Sequence, residues 1–186
     1  MNKKNFLFVF CLILIGLWLV LLSGGVQAQP RLGGTPGPII THSYAIEKGR
    51  YGDVLKIYIA AEDQNGDMLK VATSVQQVGY GRHSTDWIYL KKEYQSRFVG
   101  YLQWNTYSSK YTSMMEWAYI NITVSVFDKA GNESNFVVFP FEFISEVISN
   151  PPPPAPFDKA NIPMLGHVHI DLYNPAQDQG DGNVVR

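Results

Sequence analysis

Asp63, Asn65 and Asp67 stand two residues apart, with Gly66 among them. Oxygen ligands at that spacing can turn inward on calcium, and the glycine permits the sharp bend this needs. Leu69 to Ala72 supplies neither the closing acid nor the helix of an EF-hand. Asp128 and Asn132 bracket a second turn, Asp128-Lys-Ala-Gly-Asn132, and could add oxygens if both turns lie at one end of a domain. The same residue types also serve tight turns that hold no metal. His167, His169 and Asp171 alternate, so in a strand all three project from one face. Two imidazoles and a carboxylate could hold zinc there. A polar strand face turned to water explains the same residues.

Catalytic patterns are missing. His83, Ser84 and Asp86 are the residue types of a hydrolytic triad, but four adjacent loop positions cannot offer its three-point geometry. The chain has no Gly-x-Ser-x-Gly elbow, phosphate-cradling glycine loop or His-Glu-x-x-His pair. Its aromatic side chains are more suggestive: 11 tyrosines and 4 tryptophans. Tyr101, Tyr107, Tyr111 and Tyr119 crowd one region with Trp104 and Trp117. Tyr101 and Tyr119 fall out of phase with the apolar positions around them. An outward aromatic face of this kind can stack on sugars or anchor a protein partner. Trp104 and Trp117 suit a core.

Alternating segments must carry these groups. Ile120, Ile122, Val124 and Val126 share one face of an extended chain, and Val137, Phe139, Phe141 and Phe143 alternate again after the Gly131-Asn132 turn. The pattern predicts a long antiparallel hairpin from Trp117 to Phe143. Pro140 cannot donate to a ladder, so the second strand is an edge or is bulged there. Upstream, Leu55, Ile57, Ile59 and Ala61 form one set. Leu69, Val71, Thr73 and Val75 form the next, and Phe98, Leu102 and Trp104 run in phase with Gly100. About seven short strands between Ile39 and Phe143 predict an all-β domain, a sandwich of two antiparallel sheets, with a small barrel as the alternative.

The ends are of different character. Lys3 and Lys4, the apolar run Phe6 to Leu22 and the small-residue site Val26-Gln27-Ala28 stand in the order of an export signal. The run is also just long enough to cross a membrane. Residues 1–28 are therefore a signal peptide cleaved after Ala28, or an uncleaved N-terminal anchor. Phe10 is a poor residue to precede a lipidated Cys11. Residues 29–38 read as a flexible lead-in, 39–148 as the sandwich and 149–156 as a proline-rich spacer. In 157–186 one further strand is expected around His167 to Tyr173, with a frayed end. Its apolar residues predict a segment folded with the sandwich, pairing at the edge near Pro140 in its own molecule or in a neighbour.

Fifteen basic residues face 16 acidic ones, and losing Lys3 and Lys4 would make the balance more acidic. Such a chain has no field to attract nucleic acid. The one cysteine is Cys11, so residues 29–186 can form no disulfide.

The turns Ala61-Glu-Asp-Gln-Asn-Gly-Asp67 and Val126-Phe-Asp-Lys-Ala-Gly-Asn-Glu-Ser134 resemble those of bacterial immunoglobulin-like and fibronectin type III-like domains. The resemblance covers Ile39 to Phe143 and implies an immunoglobulin-like sandwich. In it the first turn joins the second and third strands, and the second joins the last two. It also implies a spacer, an adhesion module or part of an envelope assembly. The paired cysteines of antibody-type domains are absent. The functional expectation is a noncatalytic exported module of the periplasm, cell surface or medium, spacing or binding a macromolecule. Its partner would be an envelope or extracellular protein or a glycan, and a membrane only if residues 1–28 are retained. The alternative is a calcium- or zinc-dependent enzyme or accessory ligand-binding domain, glycan-binding among its roles.

Overall fold

The computed structural model describes residues 36–107 and 119–172. Ten strands follow one another: β1 (Ile39–Tyr44), β2 (Lys48–Gly49), β3 (Val54–Glu62), β4 (Met68–Gln77), β5 (Gly81–Arg82), β6 (Asp86–Tyr89), β7 (Arg97–Asn105), β8 (Tyr119–Asp128), β9 (Val137–Phe143) and β10 (Met164–Val168). One 3-10 turn, Lys92–Tyr94, lies between β6 and β7. The strands build two sheets. The smaller runs β1-β3-β7-β10, and the larger runs β2-β9-β8-β4-β5, with β6 also on β4. Both are antiparallel except where β10 meets β7 and β2 meets β9.

The core follows from the two-residue period. Leu55, Ile57 and Ile59 of β3, Phe98, Leu102 and Trp104 of β7, and Ile120, Ile122, Val124 and Val126 of β8 are buried in one cluster. Phe139, Phe141 and Phe143 of β9 complete it. The period breaks at one place. A register shift between Met68 and Lys70 buries Met68 completely and leaves Leu69 only half-buried. The extra residue of a bulge reverses which side chain points inward. The strands β2 and β5 have two residues each, too few to carry a period in the sequence.

The C-terminal segment folds with the sandwich of its own chain, but on a different strand from the one expected. β10 pairs parallel with β7, His167 opposite Gln103 and Val168 opposite Trp104. It does not pair with β9, whose last residues are met by β2 at Glu142 and Phe143. Gly100 explains the preference for β7: a Cβ there would lie 2.6 Å from Leu165 Cγ. Gly166 likewise lies against Ile88 of β6, with 2.5 Å from its Cβ position to Cγ2. Beyond β10, Ile170 and Leu172 are buried, the Trp104 indole N–H donates to the Ile170 carbonyl at 3.0 Å, and Asp86 Oδ2 accepts the His169 backbone N–H at 2.8 Å. The segment thus closes one side of the sandwich, from β7 of one sheet to β6 of the other. Tyr173, which the sequence pattern places in this strand, lies outside the described residues.

The proline-rich segment is folded against the domain too. The Tyr44 hydroxyl donates to the Pro151 carbonyl at 3.2 Å, and buried Phe157 packs 5.5 Å from Tyr58 between ring centres.

One ion pair ties β2 to β9. Glu142 is buried, accepts from the Tyr119 hydroxyl at 2.9 Å and pairs with Lys48 Nζ at 2.7 Å. Lys48, and then Tyr119, hold its carboxyl below the usual range by hydrogen bonding. A carboxylate with a depressed folded-state pKa adds stability above its unfolded pKa, and that stability drains away as pH falls through the folded value. Glu142→Gln is therefore expected to melt below the parent at pH 7. In a thermal-melt series it should also lose less than the parent as pH drops below about 4.5.

Candidate functional site

The larger sheet turns its outer face into an open groove of about 590 Å³. Its floor comes from the outward positions of β4 and β8, and the register fixes its order. Trp87, Ala72 and Ser125 lie across one row, Ser74, Thr123 and Val138 across the next, and Arg82, Gln76 and Asn121 across the third. The side chains in the middle are short, so the floor is low. Larger groups rise at its sides: Trp87 from β6, 41 % exposed, and Phe136 before β9, 68 % exposed.

The Trp87 wall is held in place by two neighbours. Lys70 Nζ sits 3.8 Å from the centre of its ring, and Phe127 meets it edge-on at 5.4 Å. A cation over an indole face and an edge-to-face neighbour both fix the orientation of the ring. Glu133 stands at this end of the groove, its Oε1 accepting from Ser125 Oγ at 2.7 Å. Arg82 stands at the other end, exposed and with no ion pair among the described residues. By strand rise, Ala72 and Gln76 are about 14 Å apart. The groove therefore offers two aromatic walls, a floor of hydroxyls and amides, and a cation at one end.

Of the tyrosines singled out from the sequence, the described ones, Tyr101, Tyr107 and Tyr119, lie on different parts of the domain. Tyr101 does point outward from β7, but it lies 5.6 Å from Tyr58 under the layer that Phe157 joins. Tyr119 is exposed on the larger sheet with its hydroxyl given to Glu142, and Tyr107 is exposed 5.9 Å from Tyr51. Tyr111 lies outside the described residues, as does Trp117. Trp87, Phe127 and Phe136 escaped the sequence reading. The signal was present for two of them: Trp87 is out of phase with Ile88 and Leu90, and Phe127 with Val124 and Val126.

The two acidic turns do meet at one end of the sandwich, Lys129 N donating to the Asp67 carbonyl at 3.1 Å. Each turn first satisfies itself. Asp67 N donates to Asp63 Oδ2 at 3.0 Å and Asn65 Nδ2 to Asp67 Oδ1 at 2.6 Å. Asn132 gives both its backbone and side-chain N–H to Asp128, each at 2.7 Å. Burial, hydrogen bonding with Asp63 and the charge of Asp128 hold the Asp67 carboxyl above the usual range. Asp63 Oδ1 is buried without a hydrogen-bond partner. Among the described residues no group of three or more His, Cys, Asp or Glu side chains is placed to hold a metal ion.

At the other candidate metal position, the His167 and His169 rings lie 6.3 Å apart, and His169 Nδ1 approaches Asp86 Oδ2 at 3.6 Å. His83 is buried with Nε2 3.2 Å from Gln77 Oε1; burial lowers its pKa, against a smaller opposing influence of Asp171. Asp86 Oδ2 accepts the His169 backbone N–H.

Fold and groove together define a class: an all-β, two-sheet sandwich with an aromatic-walled cleft on its larger sheet. No protein-family model matches the chain, and no curated protein does either.

Proposed function

We propose that this chain is a noncatalytic exported module, immunoglobulin-like in fold, which binds a macromolecule through the groove on its larger sheet. The groove carries this reading. Its Trp87 wall is fixed by Lys70 and Phe127 before any ligand arrives, and its floor presents hydroxyl and amide groups at regular cross-strand spacing. Pre-organised walls of this kind lower the ordering cost of binding. Export is supported by the Lys3 to Ala28 pattern of the sequence.

The finer fold reading rests on connectivity. The order β1-β3-β7 against β9-β8-β4 is that of strands A, B, E against G, F, C in immunoglobulin-like sandwiches. Asp63 to Asp67 joins β3 to β4, and the Gly131 turn joins β8 to β9, as the resemblance implies. β10 occupies the place beside β7 where such domains put their fourth strand, in the opposite direction.

Thr123 lies at the middle of the floor. Thr123→Tyr would fill the groove with a residue that strands favour, so stability should stay within ~0.5 kcal/mol, as for most surface substitutions. The full chain is expected to co-sediment with insoluble envelope material of its host, and Thr123→Tyr to weaken that association at least ~10-fold, a difference of ~1.4 kcal/mol. Retention that is absent, or equal in the two proteins, rejects the groove as the binding face.

A further inference from the structure

We propose that the groove takes an extended glycan bearing carboxylate groups, a uronate-containing polysaccharide, with one sugar ring between Trp87 and Phe136 and a carboxylate on Arg82. This rests on the groove being the binding face, and it names the ligand class.

Three features select it. Trp87 and Phe136 stand on opposite sides of the Ala72–Ser125 row and expose ring surface, Lys70 Nζ occupying one face of the Trp87 indole. Such surface suits the apolar C–H face of a pyranose, whose hydroxyls stay free to point along the floor. Between the walls and Arg82 the floor offers Ser74, Thr123, Gln76 and Asn121. These neutral groups can both donate and accept hydrogen bonds, as a ring of sugar hydroxyls requires. Charge then orients the chain. At the aromatic end Glu133 stands with the Lys70 ammonium, which is engaged on the Trp87 ring, while at the other end Arg82, planar and bidentate toward carboxylates, has no ion pair among the described residues.

Other macromolecules fit less well. An extended peptide gains affinity by adding its backbone to a sheet edge, but the backbone groups of this floor are already paired in the β4–β8 ladder. A nucleic acid would meet Glu133 and one arginine, on a chain of net charge −1.

The test is calorimetric titration of the full chain, held in a polyoxyethylene detergent so that no sugar headgroup competes. The probes are oligogalacturonate, oligomannuronate and a neutral maltooligosaccharide of equal length. One uronate series or both should bind saturably and at least ~10-fold more tightly than the neutral series. Trp87→Ala should weaken binding at least ~10-fold, the loss expected when an anchoring aromatic is truncated. Arg82→Ala should abolish the preference for uronate and flatten the salt dependence, with melting temperatures of both variants near the parent's. The proposal is overturned if no uronate binds, if neutral and acidic chains bind alike, or if Trp87→Ala binds as the parent does. Should the uronates fail while Thr123→Tyr still abolishes envelope association, the ligand class is wrong and the binding face stands. Failure of both experiments removes both.

Discussion

Replacing Trp104 by alanine is expected to destabilise the protein by about 3–5 kcal/mol, the range for emptying a buried aromatic site. Trp104 is 1 % exposed and sits at the end of β7, between Leu55 of the neighbouring strand and the C-terminal segment. Two losses combine. The cavity cannot be filled by collapse, because Leu55 is fixed in a nine-residue strand and Val168 is fixed opposite Trp104 by the β10 ladder. The Ile170 carbonyl also loses the indole N–H that reaches it at 3.0 Å. Trp104→Phe separates the two effects, since it keeps most of the apolar volume and removes the donor; it should cost about 1–3 kcal/mol. Urea unfolding would measure both. A shift of midpoint without a change of slope is expected, and a loss below ~1 kcal/mol for the alanine variant would refute this account of the site.

The second large effect belongs to the segment that Trp104 holds. Deleting Phe157 to Arg186 removes buried Phe157, Val168, Ile170 and Leu172 and uncovers the outer side of β7. Each such side chain stabilises by ~1.5–3 kcal/mol when buried, partly offset by the entropy of ordering the segment. A net loss of several kcal/mol is expected, with the truncated protein eluting as a monomer like its parent. Gly100→Val provides a version with the full chain present. Its branched side chain would collide with Leu165, and overpacking of this kind costs typically ~1–3 kcal/mol. It should raise the protease sensitivity of residues 157–172 before the sandwich itself unfolds. Unchanged melting in the truncated protein would mean that the segment contributes nothing. A parent that is an oligomer and a truncation that is a monomer would mean it is exchanged between molecules.

Most of the sandwich was legible because its strands are half-buried. A strand with one wet face writes its orientation into the sequence, and Leu55 to Ile59 and Ile120 to Val124 do so before the period ends at Ala60 and Ser125, small outward residues that are also buried. The bulge after Met68 was not legible, since an inserted residue leaves each side of the break looking regular. Pairing was harder than existence. The apolar residues Val168, Ile170 and Leu172 announced a docked segment, yet its partner depended on the space above Gly100, and only three-dimensional proximity to Leu165 reveals that space. The acidic turns meet at one end because the order of strands brings the β3–β4 and β8–β9 connections together. The groove was invisible for another reason: Thr123 lies on a strand distant in sequence from Arg82 and Trp87, and only cross-strand register, through β4, brings the three into neighbouring rows.

The order of the smaller sheet has a mechanical consequence. β1 begins at Ile39, whose partner Glu62 lies opposite Arg97, whereas β10 ends at Val168, opposite Trp104. β1 and β10 run in the same direction on opposite edges, and by strand rise the chain enters and leaves that sheet roughly 20 Å apart, at opposite ends. Tension applied between the N-terminal and C-terminal flanks would therefore act along the strands. The ladders β1–β3, β3–β7 and β7–β10 would be loaded in shear, with many hydrogen bonds sharing the force. Pulling at one end of a hairpin would instead unzip its bonds one by one. A domain tethered at both flanks would resist stretching through these three ladders together, and its lifetime under load would be set by the rate at which they slide apart.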